Sequence, residues 1–191
     1  MESKGKVSHE EKFGRYFIAI IPPMPIYEEV QQWKNYFRDR YKSKAALNSP
    51  PHITLHMPFE WKHDKEDVLC DKLKSFFETE NDFELELLDF SFFGQKTIFI
   101  QVIKTPQLQS LENELHKFCK KELNLFNARY QNLPFHPHIT IAFRDLTKTS
   151  FVKAWSEFND KKYAKKFNTT NIVLLKHTGK SWEPRKLFSL N

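Results

Sequence analysis

The sequence PHITL at residues 51–55 recurs as PHITI at residues 137–141. The second copy lies 86 residues after the first in a chain of 191 residues, and a segment with helical periodicity precedes each copy. Both copies begin with proline and carry aliphatic residues at alternate positions, which is typical of a short strand with one buried face. The repeat predicts two similar halves related by an approximate two-fold axis. Their motif strands would then lie side by side, each facing one cleft.

The remaining segments alternate between strand-like and helix-like patterns. Helices are predicted over Pro25–Tyr41, Asp64–Glu80, Pro106–Leu125 and Lys148–Phe158, with Asp64 as the N-cap of the second. Strands are predicted over Arg15–Pro23, Pro51–Phe59, Phe83–Phe93, Thr97–Lys104, Pro137–Phe143, Asn171–Thr178 and Lys186–Leu190. This order predicts an α+β fold. We expect residues 1–14 to form a flexible tail and residues 15–191 to form a single domain.

Composition excludes several kinds of site. The four glycines lie far apart in the sequence, so neither a dinucleotide-binding glycine turn nor a Gly-Lys phosphate loop can be built. Two cysteines are too few for a thiolate zinc cluster or a disulfide scaffold. Thus phosphate recognition in this chain would have to use other groups.

The net charge of +6 suits a partner that carries phosphate, and it suits equally a lysine-rich surface without such a partner. The N-terminal stretch is polar and lacks the apolar region of a secretory signal. No apolar run approaches the roughly 20 residues that a membrane helix needs. We therefore expect a cytoplasmic monomer with no membrane partner.

The motif residues carry the chemistry. Side chains alternate between the faces of a strand, so His52 shares a face with Thr54, and His138 shares a face with Thr140. Two imidazoles and two hydroxyls would then surround one small space. In an in-line displacement at phosphorus, one neutral histidine can accept the proton of the nucleophile and one protonated histidine can donate to the leaving oxygen. The threonine hydroxyls can donate to the non-bridging oxygens, and the scheme requires no metal or cofactor.

The two motifs resemble those of the two-histidine phosphoesterases, a family defined by a pair of His-x-Thr/Ser-x tetrads with hydrophobic residues at x. Residues 52–55 and 138–141 fit this pattern without a mismatch. The resemblance spans roughly residues 15–190 and implies a bilobal fold: two pseudo-symmetric lobes of antiparallel sheet, with outer helices, around a central cleft. It also implies catalytic roles for His52 and His138, and phosphate-binding roles for Thr54 and Thr140.

By the same resemblance, the substrate would be an RNA end or a nucleotide with a 2′,3′-cyclic phosphate or a 2′-5′ linkage. The expected reaction is metal-independent opening of the cyclic phosphate, together with reversible 2′-5′ RNA ligation. Two alternatives remain open. The chain could bind RNA termini without turnover, or it could hydrolyse another cyclic phosphate such as ADP-ribose 1″,2″-cyclic phosphate.

Two further residues are candidate substrate contacts. Arg144 lies six residues after His138, and regular alternation would keep it on the same face. His56 lies two residues after Thr54 and would share its face, although a strand-end histidine bonded to backbone is the other reading. A zinc site made by His52 and His56 is excluded, since four residues of strand span roughly 13 Å.

Aromatic residues are further candidates for contacts with a base. In the last hairpin, Trp182 could stack on a base and Arg185 could contact phosphate, or both could be ordinary surface or core residues. Phe17 lies next to a predicted motif strand and could also supply a stacking surface. The pair Phe92 and Phe93 is most simply assigned to the core.

Overall fold

The computed structural model describes residues 12–127 and 133–191, and this part of the chain forms eight strands and four α-helices. The strands are β1 (Phe13–Ile20), β2 (Ile53–Lys62), β3 (Phe83–Phe93), β4 (Thr97–Val102), β5 (His138–Ala142), β6 (Ala164–Thr169), β7 (Asn171–His177) and β8 (Trp182–Ser189). The helices are α1 (Ile26–Tyr41), α2 (Glu66–Phe77), α3 (Pro106–Glu122) and α4 (Lys148–Phe158).

All eight strands belong to one curled sheet in the order β6-β3-β4-β5-β2-β1-β7-β8. Every neighbouring pair is antiparallel. The motif strands β2 and β5 are adjacent at the centre, with β1 flanking one and β4 flanking the other. The predicted α+β fold with two similar halves of antiparallel sheet is therefore confirmed.

The two faces of the sheet have different partners. One face, which we call the helix face, carries Tyr16, Ile18 and Ile20 from β1 and packs in the main core with the buried stripes of the helices. The opposite face, which we call the open face, carries a smaller apolar cluster that includes Phe17 and Ala19 of the same strand. Strict alternation along β1 therefore sorts its residues between the two faces.

Each helix that precedes a motif strand crosses to the other half of the sheet. Helix α1 follows β1 but packs against β5 and α4, and helix α3 follows β4 but packs against β2 and α2. Between α1 and α4, the hydroxyls of Tyr36 and Tyr41 donate to the carboxylate of Glu157. The crossing ties the two halves together around the central pair of strands.

The element boundaries depart from the sequence predictions in three informative places. Strand β1 already includes Phe13 and Gly14, and the rest of the predicted tail, apart from Lys12, lies outside the described residues. Asp64 sits in a 3-10 turn, and helix α2 begins after Lys65 with no side-chain cap. Strand β6 was not predicted, because it lies at the sheet edge, where charged and exposed residues obscure the strand pattern.

A buried carboxylate joins helix α2 to three strands on the helix face. Glu66, with 8% of its side chain exposed, accepts hydrogen bonds from Tyr16 Oη at 2.6 Å, from Lys176 Nζ at 2.5 Å and from Arg185 Nε. Burial alone would raise the pKa of Glu66, but the bonds from Lys176, Tyr16 and Arg185 lower it to about 2. Arg185 therefore belongs to the framework of the sheet and not to the open face.

Replacing this carboxylate should destabilise the fold. We predict that Glu66→Ala lowers the free energy of unfolding in urea by about 2–4 kcal/mol at pH 7, because it leaves partly buried cationic and hydroxyl partners unpaired. Since the folded-state pKa is depressed, the stabilisation is present above about pH 4.3 and is lost as pH falls towards 2. Glu84→Ala is the control, because that exposed carboxylate pairs only at the surface with Lys166. Equal losses of unfolding free energy in Glu66→Ala and Glu84→Ala would contradict the stabilising role of the Glu66 carboxylate.

Candidate active site

The pairing of β2 with β5 brings the two motifs together. Ile53 faces Ile139 across the antiparallel pair, and both side chains are fully buried in the core of the helix face. One residue further along, this register places His52 opposite Thr140. In the other direction it places Thr54 opposite the second histidine. All four motif side chains consequently lie on the open face.

Both histidines are held by the same hydrogen bond. His52 Nδ1 lies 2.7 Å from the carbonyl oxygen of Pro50, and His138 Nδ1 lies 2.7 Å from the carbonyl oxygen of His136. A carbonyl oxygen can only accept, so Nδ1 is the donor in each case. In the neutral ring the lone pair is therefore on Nε2. Each imidazole is thus oriented by the residue two positions before it and has Nε2 as its basic atom.

An aromatic ring also packs against each imidazole. The ring centroids of Phe17 and His52 are 4.9 Å apart with an interplanar angle of 55°. On the other side, Phe99 and His138 are 5.0 Å apart, again at 55°. Phe17 and Phe99 are both almost fully buried. The equal geometry in the two halves shows that the approximate two-fold extends to the residues that support the histidines.

Further rings continue these two contacts outward on the open face. Trp182 meets Phe17 edge to face at 4.8 Å, and the Arg15 guanidinium lies 5.5 Å from the Trp182 ring centroid. In the other half, Phe93 lies 4.2 Å from Phe99 and 5.0 Å from His138. The site is therefore flanked by an aromatic wall in each half.

Sequence reasoning identified part of these walls. It proposed Phe17 and Trp182 as candidate stacking residues, but it assigned Phe93 to the core, whereas 40% of this residue is exposed. It also missed Phe99. The recurrence of Phe-Ile at residues 17–18 and 99–100, one in the strand before each motif strand, was the available signal.

A β-bulge follows the threonine in each motif strand. Thr54 pairs with Ala19 and His56 pairs with Ile18, so Leu55 is an extra residue. The same shift in β5 makes Ile141 the extra residue after Thr140. A bulge changes which face the following side chains occupy.

The bulge corrects the expectation for His56. Its pairing partner Ile18 lies on the helix face, and His56 is fully buried there against Phe59. His56 Nδ1 bonds to the Met57 carbonyl oxygen at 2.8 Å. His56 is therefore a core residue, and the prediction that it shares the face of Thr54 is wrong because it assumed unbroken alternation.

The bulge at Ile141 also removes the basis for the expectation that Arg144 shares the face of His138. Strand β5 ends at Ala142, and Arg144 adopts a left-handed conformation with φ of 63°. Its guanidinium carbon lies 5.1 Å from the centroid of the Phe143 ring, and the residue is exposed. Alternation therefore does not assign Arg144 to the face of the motif residues.

The environment of the histidines disfavours their charged forms. Burial lowers the pKa of His52 far below its usual value, and the nearby Lys34 and His138 lower it further against the raising effect of the Pro50 carbonyl. Burial also lowers the pKa of His138, which the His136 carbonyl opposes. Both imidazoles are consequently neutral at pH 7, with Nε2 available to accept a proton.

The described part of the chain holds neither a metal-ligand cluster nor a membrane span. No group of three or more His, Cys, Asp or Glu side chains within residues 12–127 and 133–191 is arranged to hold a metal ion. None of the helices in those ranges combines the length and apolar character that crossing a membrane requires.

Comparison with known proteins identifies the family. Residues 22–181 match the model of the 2′-5′ RNA ligase superfamily. The chain belongs to this superfamily. The resemblance to two-histidine phosphoesterases is thereby confirmed, and membership supports an enzyme with phosphoesterase or RNA-ligase-type activity.

Relatives of this superfamily member include bacterial proteins. A protein of Geobacillus kaustophilus named "Putative phosphoesterase" is 30% identical over 145 residues, which is 75% of this chain and 76% of that protein. A protein of the same name from Bacillus cytotoxicus is 33% identical over 115 residues, which is 59% of this chain and 62% of that protein.

Solved structures share the fold. LigT of Escherichia coli, in a complex with 3′-AMP, superposes with a TM-score of 0.66 at 22% identity, over 94% of this chain and 99% of that chain. TT0787 of Thermus thermophilus also has a TM-score of 0.66, at 15% identity over 92% of this chain and 97% of that chain. These likenesses establish a LigT-like fold for the superfamily member described here.

Proposed function

We propose that this protein is a metal-independent phosphodiesterase that opens 2′,3′-cyclic phosphates of nucleotides or RNA ends and also catalyses reversible 2′-5′ RNA ligation. The observation that carries the proposal is the pairing of β2 with β5. It presents two imidazoles whose basic atom is Nε2, and a hydroxyl beside each, on one face of the sheet. The catalytic residues are His52 and His138, and the phosphate-binding residues are Thr54 and Thr140.

The register supports an in-line geometry. His52 and His138 are diagonal neighbours across the strand pair, for which the usual separation is roughly 7–8 Å at the backbone. A phosphoryl group fits between two imidazoles at that spacing, with one ring towards the entering oxygen and the other towards the leaving oxygen. The hydroxyls of Thr54 and Thr140 then reach the non-bridging oxygens, where negative charge increases.

Two histidines can carry out every proton transfer that hydrolysis and ligation require. In hydrolysis, water gives its proton to one neutral Nε2 as it attacks phosphorus, and the other, protonated Nε2 gives its proton to the departing ribose oxygen. Ligation starts from the same cyclic phosphate, with the 5′-hydroxyl of a second RNA end in place of water as the nucleophile. In its reverse, which cleaves the 2′-5′ linkage, the two histidines exchange roles. Both rings are neutral in the free protein at pH 7, so bound phosphate has to raise the pKa of one imidazole.

The surroundings of the site support a nucleotide as substrate. Trp182, which is partly buried, and Phe93, which is exposed, extend the aromatic walls beyond the histidines, and aromatic rings can stack on bases. LigT of Escherichia coli, which shares the fold, has been crystallised with 3′-AMP. A 3′-nucleotide is one of the products that opening a 2′,3′-cyclic phosphate can give.

The deciding experiment is turnover of a 2′,3′-cyclic nucleotide and of a cyclic-phosphate-terminated RNA in the presence of EDTA. We predict turnover by the wild type and a fall in kcat of about 10²–10⁴-fold in His52→Ala and in His138→Ala, because each removes one proton-transfer group. His56→Leu is the control histidine variant and should keep its kcat, since His56 is buried on the helix face.

The other outcomes are informative. Near-normal kcat in either His52→Ala or His138→Ala would contradict the two-histidine mechanism. Binding of the RNA end without turnover by the wild type would favour a terminus-binding module. Turnover confined to ADP-ribose 1″,2″-cyclic phosphate would keep the mechanism and replace the substrate.

The pH dependence should reflect the lowered pKa values of both histidines. Catalysis needs one protonated and one neutral ring, so kcat/KM should be bell-shaped with its maximum below about pH 6.5. Bound phosphate stabilises the imidazolium, so the maximum of kcat should lie at higher pH than that of kcat/KM. Initial rates between about pH 2.5 and 8.5 measure both profiles, including the acidic limb that His52 sets. A kcat/KM maximum above about pH 7 would contradict this electrostatic description.

A further inference from the structure

We propose that Lys34 is a positioning residue for His52: its buried ammonium group fixes the turn before β2 and opposes a positive charge on the His52 imidazole. The kinetic part of this inference rests on the proposed function, whereas its structural part does not. Lys34 lies in the middle of helix α1, 18 residues before His52. It is not one of the motif residues.

Two hydrogen bonds connect Lys34 to His52. Lys34 Nζ donates to the carbonyl oxygen of Ser49 at 3.0 Å. The next carbonyl along the chain, that of Pro50, accepts from His52 Nδ1 at 2.7 Å. The ammonium group therefore holds one carbonyl of the turn, and the adjacent carbonyl orients the imidazole. Removing the first bond frees the segment that sets the direction of His52 Nε2.

The burial of Lys34 is unusual. Only 1% of the residue is exposed, and burial lowers the pKa of Lys34 to about 7. Among the described residues, no carboxylate lies within ion-pair distance of its Nζ. Asp145, which binds the preceding loop, accepts instead from the Ser43 hydroxyl and from backbone N–H groups of that loop. An ammonium group kept in such a place destabilises the fold, which favours a functional reason for it.

The uncompensated charge acts on His52. The charged or titratable groups that influence His52 are Lys34 from α1 and His138 from β5, and both disfavour the imidazolium form. Phe17, which packs on the ring from β1, is uncharged. The pKa of His138 is lowered by burial and by the neighbouring His136, and not by Lys34. Lys34 thus makes the two halves of the site electrostatically different.

Helix α3 offers a matched control. Its buried residues Leu108, Glu112, Leu115 and Cys119 have the same spacing as Val30, Lys34, Phe37 and Tyr41 of α1. Glu112 is also only 1% exposed, but it influences His56 on the helix face. Glu112→Gln therefore changes a buried carboxyl group at the corresponding helix position without touching the turn before His52.

The test follows the imidazoles of the free protein by NMR from about pH 8 down to about pH 2, because the pKa of His52 is about 3. The His52 and His138 signals are assigned with His52→Ala and His138→Ala. We expect wild-type His52 to remain neutral to lower pH than His138. In Lys34→Met, which removes the charge and the donor but keeps the chain length, the His52 midpoint should rise by on the order of one pH unit. The His138 midpoint should stay in place, and Glu112→Gln should move neither.

Stability provides a second readout. The folded-state pKa of Lys34 is depressed, so its destabilising effect is full below pH 7 and disappears as pH rises through about 10.4. Lys34→Met should therefore raise the melting temperature more at about pH 6 than at about pH 10. If that variant fails to fold, Lys34→Gln replaces it in the same titration, with the same expected rise.

The outcomes separate this inference from the proposed function. An unchanged His52 midpoint in the Lys34 variant, or an equal rise in Glu112→Gln, overturns the positioning role whatever the enzyme does. A wild type without phosphodiesterase activity overturns the proposed function but leaves the titration result standing. If the positioning role of Lys34 and the phosphodiesterase activity are both correct, the acidic limb of the pH profile of kcat/KM should move to higher pH in Lys34→Met.

Discussion

The contact between Ile53 and Ile139 is the constraint on which the site depends. These two residues are buried together on the helix face and set the register of β2 against β5. Because strand side chains alternate, burying the isoleucines turns the histidine and threonine of each motif to the open face. A shift of one residue would bury all four polar side chains and expose the aliphatic ones. The hydrophobic effect therefore aligns the candidate catalytic groups, and the flanking strands and helices maintain that alignment.

The approximate two-fold supplies each histidine with similar supports. In both halves a backbone carbonyl two residues upstream orients the ring, and a phenylalanine from the neighbouring strand packs on it. A bulge after each threonine ends the polar stretch on the open face. In-line transfer at phosphorus needs two proton-transfer groups on opposite sides of the phosphorus atom. The duplicated arrangement meets this need, while Lys34, near only one histidine, gives the two rings different environments.

The sequence predicted the fold class, most elements and the convergence of the motifs, because periodicity and repetition report on which face of an element is buried. It failed for His56 and Arg144, since a bulge is a matter of register between two strands and leaves no mark in the alternation of one. It also missed β6, whose charged edge position hides the strand pattern. The sequence also did not predict the burial of Lys34, because a lysine on a helix is ordinarily exposed to solvent.

In the proposed mechanism, the imidazoles of His52 and His138 hold one phosphoryl group between them. The most direct measurement is a crystal structure of the protein with a nucleoside 2′,3′-cyclic vanadate, which imitates phosphorus in the in-line transition state. We expect Nε2 of His52 and Nε2 of His138 to lie within about 3 Å of the two apical oxygens, with the hydroxyls of Thr54 and Thr140 bonded to the equatorial oxygens. A vanadium atom contacted by only one histidine, or bound away from the β2–β5 pair, would contradict this mechanism.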